Sequence, residues 1–184
     1  PLSGPHLIKN DLDRKEIQEV LKTNNLFFAK WTDDWDRNTP SEWWWICCDM
    51  ENYSIDNIVS KRGKRSIITG SKRCDVRRVC PEEFAQEGYK IFYESLKSYG
   101  TESSNLPTNE EFRQKVINDS QAASYEPWAA YVDGQMVAFS TCKVIDNYVT
   151  LNETKSLPSY HRHHPNSILF YSITEHYLNK RNLK

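Results

Sequence analysis

The clearest alternation of hydrophobic and polar positions runs from Trp128 to Leu178 and predicts a hairpin, a third strand, a loop and a helix. In WAAYVDGQMVAFSTC, Asp133-Gly134 separates two apolar, β-rich runs, and both turn residues tolerate positive φ. YVTLNETKSL follows as a β-branched strand. SYHRHHPNS then opens ILFYSITEHYL, where Phe170, Ile173, Tyr177 and Leu178 recur at the helical period, with Asn166 or Ser167 as the cap. Unpaired backbone N–H groups and the helix dipole at that cap attract phosphate or carboxylate, so the loop predicts an anion site.

Upstream, Asp13 and Glu16 frame a capping-box-like start to DRKEIQEVLKTNN, with Ile17, Val20 and Leu21 on one face and a stop at Asn24-Asn25. LFFAKW and EWWWICCDM read as two strands around the polar loop TDDWDRNTPS, an aromatic-rich layer. From Ser54 a second helix runs through IDNIVSKRGKR, weakened by Gly63, and CDVRRVC supplies a strand. PEEFAQEGYKIFYESLKSYG then predicts a long helix from Pro81 to Gly100, with Phe84, Ile91, Phe92, Leu96 and Tyr99 as its apolar stripe. LPTNEEFRQKVINDS predicts another, with Thr108 and Glu111 as capping box and Phe112, Val116 and Ile117 as its buried side. The order from Cys74 implies an α/β or α+β fold, a sheet covered by helices. The organisation expected is an N-terminal helix and aromatic-rich strand extension over residues 1–53 and a core over 54–184.

Composition narrows the classes. At 184 residues the chain is long enough for one ordinary core, and 12% aromatic content, with six Trp and ten Tyr, argues against disorder. A formal charge of -1 excludes a globally basic nucleic-acid binder, and no apolar run approaches the roughly 18 residues of a membrane span. Cys47, Cys48, Cys74, Cys80 and Cys142 form an odd set without metal spacing, which predicts buried thiols, no metal and a reducing, cytoplasmic setting. The chain starts at Pro1 without methionine, so its N-terminus is expected to be processed or cut.

The element order, together with PWAAYVDGQMVAFSTCKV and PNSILFYSITEHYL, resembles the GNAT superfamily of N-acyltransferases over roughly Trp43 to the end. The prelude containing SKRGKRSIITGSKRCDVRRV is most similar to the GNAT-like proteins related to Fem-type aminoacyltransferases. The resemblance implies a mixed, largely antiparallel sheet flanked by helices, and transfer of an acyl or aminoacyl group from a small-molecule donor to an amine acceptor. It implies also that the strand Tyr148 to Glu153, through the backbone of Thr150, Leu151 and Asn152, offers N–H groups to the acyl carbonyl. The loop of Tyr160, His161, Arg162, His163, His164, Pro165, Asn166 and Ser167 would then hold the donor's phosphates. Such loops usually carry spaced glycines that let backbone approach a pyrophosphate; none stands here, which favours a donor other than acyl-coenzyme A. The resemblance implies that a GNAT domain would continue with another strand, a further helix and a closing hairpin, and that this distal segment would carry the tyrosine that often serves as general acid. The expectation is therefore a core lacking its last strands, with a shorter fold complete as given as the alternative.

Glu153, at the end of that strand, is the candidate general base; beside Lys155 its plainer reading is a solvated carboxylate. Arg162 could fork onto an anion, and the three histidines could titrate near neutral pH or simply line a polar loop. Lys61, Arg62, Lys64, Arg65, Lys72, Arg73, Arg77 and Arg78 face one acid, Asp75, a net +7 in eighteen residues. Such a run would attract tRNA, a phosphorylated carrier or a lipid headgroup, or else be an ordinary solvated face. Trp43 to Trp45 is expected to serve packing, and Cys47-Cys48, without a base near in sequence, is a poor nucleophile. Three readings remain: an N-acyltransferase, a non-catalytic module that binds RNA or a phosphorylated ligand, or a catalytically inactive GNAT-like domain acting as a scaffold.

Overall fold

A computed structural model describes residues 14–27, 48–102, 106–122, 124–145 and 147–181. The chain divides into two units, Pro1–Cys47 and Cys48–Lys184. In the first, α1 spans Arg14–Thr23, and Ile17 and Leu21 are its half-buried positions. Asn25, at φ 51°, ends it, and Leu26 N donates back to Leu21 O. The expected stop at Asn24-Asn25 is therefore the observed one. The two aromatic strands fall outside the described residues except for their ends, Leu26-Phe27 and Cys48–Met50, which carry no strand.

In the second unit a 3-10 turn, Ile55–Asn57, is capped by Ser54 and precedes α2, Lys61–Ser71. The single helix expected from Ser54 is thus broken at Ile58–Ser60 and runs further than its pattern suggested. The reason is local: Ser60 is extended and its hydroxyl accepts from Gly63 N at 3.1 Å, a new N-cap that restarts the helix. The first turn of α2 contains no acid, and placing cations there opposes the helix dipole by about 0.3–1 kcal/mol each.

Next come β1 (Asp75–Arg78), α3 (Pro81–Ser98), α4 (Asn109–Ser120), β2 (Tyr125–Val132), β3 (Gln135–Ile145), β4 (Tyr148–Ser156) and α5 (Pro165–Glu175), which continues as a π-helical turn over His176–Lys180. The four strands form one antiparallel sheet in the order β1-β2-β3-β4. Asp133 and Gly134, at φ 50° and 78°, make the two-residue hairpin turn whose twist suits the flanking strands. The expected α/β class, a largely antiparallel sheet flanked by helices, is the observed one.

Side chains alternate across a strand, so β2 and β3 present two faces. Phe139 meets Phe84 of α3 with ring centroids 4.8 Å apart, and Phe84 in turn meets Phe112 of α4. On the opposite face Trp128 reaches Tyr177, just beyond α5. Helices therefore cover both sides, and the central strands are buried from Pro127 to Val132 and from Met136 to Cys142, with Ala129, Ala130, Val137, Ala138, Phe139 and Cys142 completely so. The capping box of α4 forms as expected: Thr108 Oγ1 accepts from Glu111 N, and Glu111 accepts from Thr108 N.

Four residues of the expected apolar faces are exposed, the first of them Val20 of α1, where Ile17 and Leu21 alone are half-buried. Tyr99 caps α3 rather than lining it and is exposed, because the buried stripe ends at Ser95. Ile117 is exposed beside Phe112 and Val116, which alone carry the buried contact of α4. Phe170 points outward, since α5 turns Ile168, Leu169 and Ile173 to the core.

Helix α2 lies against the start of α5 at Gly70. A Cβ there would stand 2.8 Å from Ile168 Cβ and 3.0 Å from the His164 carbonyl oxygen, so only glycine permits the approach. Gly70→Ala is expected to lower stability by about 1–3 kcal/mol through overpacking. Urea denaturation checks it: an unchanged midpoint would mean that α2 is not held where it lies.

Candidate active site

Among the described residues β4 pairs with β3 alone, so alternate N–H and C=O groups along its other side have no strand partner. Its register breaks where Thr141 faces Glu153 and Cys142 faces Leu151, which leaves Asn152 as an extra residue. Such a bulge bends the strand and re-aims its backbone. Thr150 Oγ1 donates to Lys143 O at 3.4 Å and lies 3.3 Å from Asn152 Oδ1, while Leu151 and Asn152 are exposed. Glu153 is half-buried, 3.9 Å from Lys155 Nζ. Burial, then the charges of Asp119 and Glu153, raises the Tyr125 phenol well above its ordinary value.

From Ser156 the chain passes through Leu157 into a 3-10 helix, Pro158–His163. Two contacts hold this loop: Tyr160 OH donates to Gln135 Oε1 at 3.1 Å, and Cys74 Sγ–H to His163 O at 3.7 Å. His164 is left-handed, φ 55° and ψ 43°, and is the N-cap residue of α5, which has no side-chain cap. Neither Asn166 nor Ser167 caps the helix, as the pattern had suggested. Pro165 already has a helical φ and takes the first helical position, so both fall inside the first turn. The sharp turn that glycines would give is made by one strained histidine.

His163 Nδ1 and Asn166 Oδ1 are buried without a hydrogen-bond partner. An unmade bond of this kind costs about 1–3 kcal/mol, and a polar ligand group that reaches it recovers part of that cost. His161 and Arg162 stand exposed on the same loop. Of the sequence-predicted residues, Thr150, Leu151, Asn152 and Glu153 lie on the bulged edge strand β4 and Tyr160 through Ser167 in the loop and first helical turn that follow it along the chain.

The basic run divides. Arg77 forks onto Glu83 at 3.0 and 2.5 Å and lies over the Tyr131 ring, and Tyr131 OH donates to Glu83 at 2.6 Å. These bonds hold the Glu83 carboxyl below its usual range. Arg78 pairs with Glu126 at 3.4 Å and Lys64 with Asp56 at 2.7 Å. Lys61, Arg62, Arg65, Lys72 and Arg73 are exposed and make no ion pair among the described residues. A surface cavity of about 590 Å³ is lined by Lys72, Arg73, Arg77, Glu83, Tyr131 and Asp133 among others; neither the β4 edge nor the Tyr160–Ser167 loop borders it.

One cluster escaped the sequence reading. The Glu126 side chain is only 11% exposed, yet it accepts from Tyr177 OH at 2.7 Å and Arg181 Nη1 at 2.6 Å. Tyr177 OH in turn accepts from Trp128 Nε1 at 3.1 Å. Burial, followed by the Glu126 charge, pushes the Cys142 thiol up to about 12, which makes it inert. Burial, with Lys180, Arg78 and Arg181 nearby, lowers the His176 imidazole. The signal in the sequence was a lone acid inside the apolar run YEPWAAYV.

No protein-family model and no curated protein matches this chain. Solved structures do. The chain is similar to the PaiA N-acetyltransferase of Thermoplasma acidophilum, a complex with coenzyme A, at 15% identity over 60% of this chain and 74% of that one, TM-score 0.46. It is similar also to an aminoglycoside acetyltransferase from an uncultured soil metagenomic sample, in complex with sisomicin, at 9% identity, 62% and 75% coverage and TM-score 0.48. An acetyltransferase from Thermus thermophilus matches at 13% identity, 55% and 68% coverage and TM-score 0.48.

Burial raises the Glu126 carboxyl, but the Tyr177 hydrogen bond and the Arg181 and Arg78 charges outweigh it and bring the net shift below the ordinary 4.5. A carboxyl lowered on folding stabilises above its unfolded value and loses that contribution as pH falls through its folded one. The expected result is that the urea midpoint of the wild type falls steeply below about pH 4.5, and that Glu126→Gln flattens this slope. An equal acid slope in the variant would contradict the network.

Proposed function

We propose that this chain is an N-acyltransferase domain that takes an activated acyl or aminoacyl donor along the β4 edge and delivers it to an amine. The observation that supports this reading is that the bulged, unpaired side of β4 leads along the chain into a loop with exposed His161 and Arg162, and with His163 Nδ1 and Asn166 Oδ1 buried without a hydrogen-bond partner, at the start of α5. Acyl transfer to an amine needs a neutral nitrogen, a polarised carbonyl and a protonated leaving group, and requires no covalent enzyme intermediate. In this reading the outward N–H groups near Asn152 polarise the donor carbonyl. Glu153 takes the proton that the acceptor loses, directly or through water, and the leaving group departs with a proton drawn from solvent.

Arg162, His161, His163 and the first turn of α5 would hold the anionic part of the donor. The cradle fits a single phosphate or carboxylate better than a pyrophosphate, because His164 keeps a side chain where a close backbone approach would need glycine. Acyl-coenzyme A is one donor of the class and an aminoacyl ester another. The second reading, a polyanion binder without catalysis, draws on the five unpaired cations around α2, and salt separates the two. A polyanion binder loses affinity steeply with salt, whereas a donor pocket saturates with a defined small molecule.

The test is a transfer assay with acyl-coenzyme A and aminoacyl donors against a panel of primary amines. Glu153→Gln is expected to lower kcat by about 100-fold or more, the scale of general-base catalysis, with donor KM within about threefold of the wild type. An unchanged kcat would remove Glu153 from the chemistry. Failure of every donor to saturate the wild type would overturn the transferase reading.

A further inference from the structure

The outer face of α2 has a composition that folding does not explain. Lys61, Arg65, Ile68 and Lys72 recur at i, i+4, i+7 and i+11, so they form one stripe about 16 Å long. The opposite stripe, Ile67 and Gly70, is buried beside α5. Arg62 and Arg73 flank the outer stripe, and with Lys61, Arg65 and Lys72 they make five exposed cations without an ion pair among the described residues. The acids around it form no ion pair with these five cations among the described residues: Asp56 is bound to Lys64 and Glu83 to Arg77, while Asp75, Glu87 and Asp133 share the cavity beside Lys72 and Arg73 without pairing to them. Two aliphatic side chains stand in the open beside these cations, Val59 at 98% exposure and Ile68 at 42%.

Cations crowd the first turn of α2, where the helix dipole favours acids, and the acids are absent. A surface helix arranged for its own stability would carry the opposite charges there. A local rule broken at exposed positions points to a demand from outside the fold.

We propose that the outer face of α2 docks on a bilayer surface that carries anionic headgroups. Lys61, Arg62, Arg65, Lys72 and Arg73 meet the phosphates, while Val59 and Ile68 reach the boundary between headgroups and acyl chains. Charge complementarity selects an anionic partner, and the shape and side chains of the face select a lipid surface over a nucleic acid. The face is one convex helix side. Residues 61–71, KRGKRSIITGS, contain no aromatic side chain on which a base could stack. Its apolar members are aliphatic, as an interfacial contact requires. Such docking would place the domain at a membrane without any spanning segment; no described helix is long and apolar enough to cross one. The proposal does not depend on acyl transfer.

The experiment is co-sedimentation of the full chain with vesicles of phosphatidylcholine alone and of phosphatidylcholine with about 30% phosphatidylglycerol. Binding is expected only to the anionic vesicles and should weaken as salt rises from about 0.1 M to about 0.5 M. Each cation near such a surface contributes about fivefold to partitioning, so Arg65→Gln should lower it about fivefold and the triple variant K61E/R65E/K72E more than about 100-fold. Circular dichroism checks that the variants are folded, and the single variant keeps the test decisive should the triple one fail to fold. Val59→Ser with Ile68→Ser should weaken the binding that persists at high salt. Equal binding to neutral vesicles, no binding to anionic ones, or undiminished binding by R65Q and the triple variant would overturn the proposal. Tight, salt-sensitive binding to a mixed-sequence single-stranded RNA without vesicle binding would overturn it in favour of nucleic acid.

Discussion

The Tyr177 hydroxyl, accepting from Trp128 and donating to Glu126, fastens the end of α5 to the second strand of the sheet. Arg181 and Arg78 complete the arrangement by balancing a carboxylate that is mostly out of water. At its other end α5 is set by the close approach of Gly70 to Ile168 and His164. With both ends held, the direction of the helix across the sheet is fixed, and so is the loop that brings the chain out of β4. The arrangement of His163, Asn166 and Arg162 around the start of α5 therefore follows from contacts at the far end of the helix as much as from the loop itself.

The sheet has two unlike edges. On one, β1 is short and its Arg77 and Arg78 are bound to Glu83 and Glu126. On the other, β4 is long, bulged at Asn152 and unpaired on its outer side among the described residues. An unpaired edge invites association with other chains, and a bulge with exposed polar residues blunts it. Under the proposed reading, the same features would give a donor carbonyl access to backbone N–H groups, and function and protection would then make compatible demands on Thr150 through Glu153.

Features governed by short-range rules could be read from the sequence. Asp133-Gly134 fixed the hairpin because few residue pairs accept two positive φ values, and Thr108 with Glu111 fixed the start of α4 because the two side chains satisfy each other's backbone. The strand and loop of the candidate site could be placed for the same reason. What could not be read depends on distance. The +7 of Lys61 to Arg78 looked like one focus, but Lys64, Arg77 and Arg78 find acids that lie 8, 6 and 48 positions away. The left-handed His164 and the extra residue Asn152 are of types that tolerate such geometry more readily than most but do not require it, so the surrounding chain decides where it occurs. Phe170 fits the helical period and still faces outward, because the neighbours of α5 settle which part of a broad apolar face is covered.

The central claim is that the outer side of β4 and the first turn of α5 hold a single acyl donor between them. Amide chemical shifts of the isotopically labelled chain, followed through titration with acetyl-coenzyme A and with an aminoacyl ester, test this directly. The account expects saturable changes with at least one of these donors, concentrated at Leu151 to Glu153 and at His161 to Ser167. Changes confined to the cavity around Lys72, Arg73 and Arg77, or none that saturate with either donor, would contradict it.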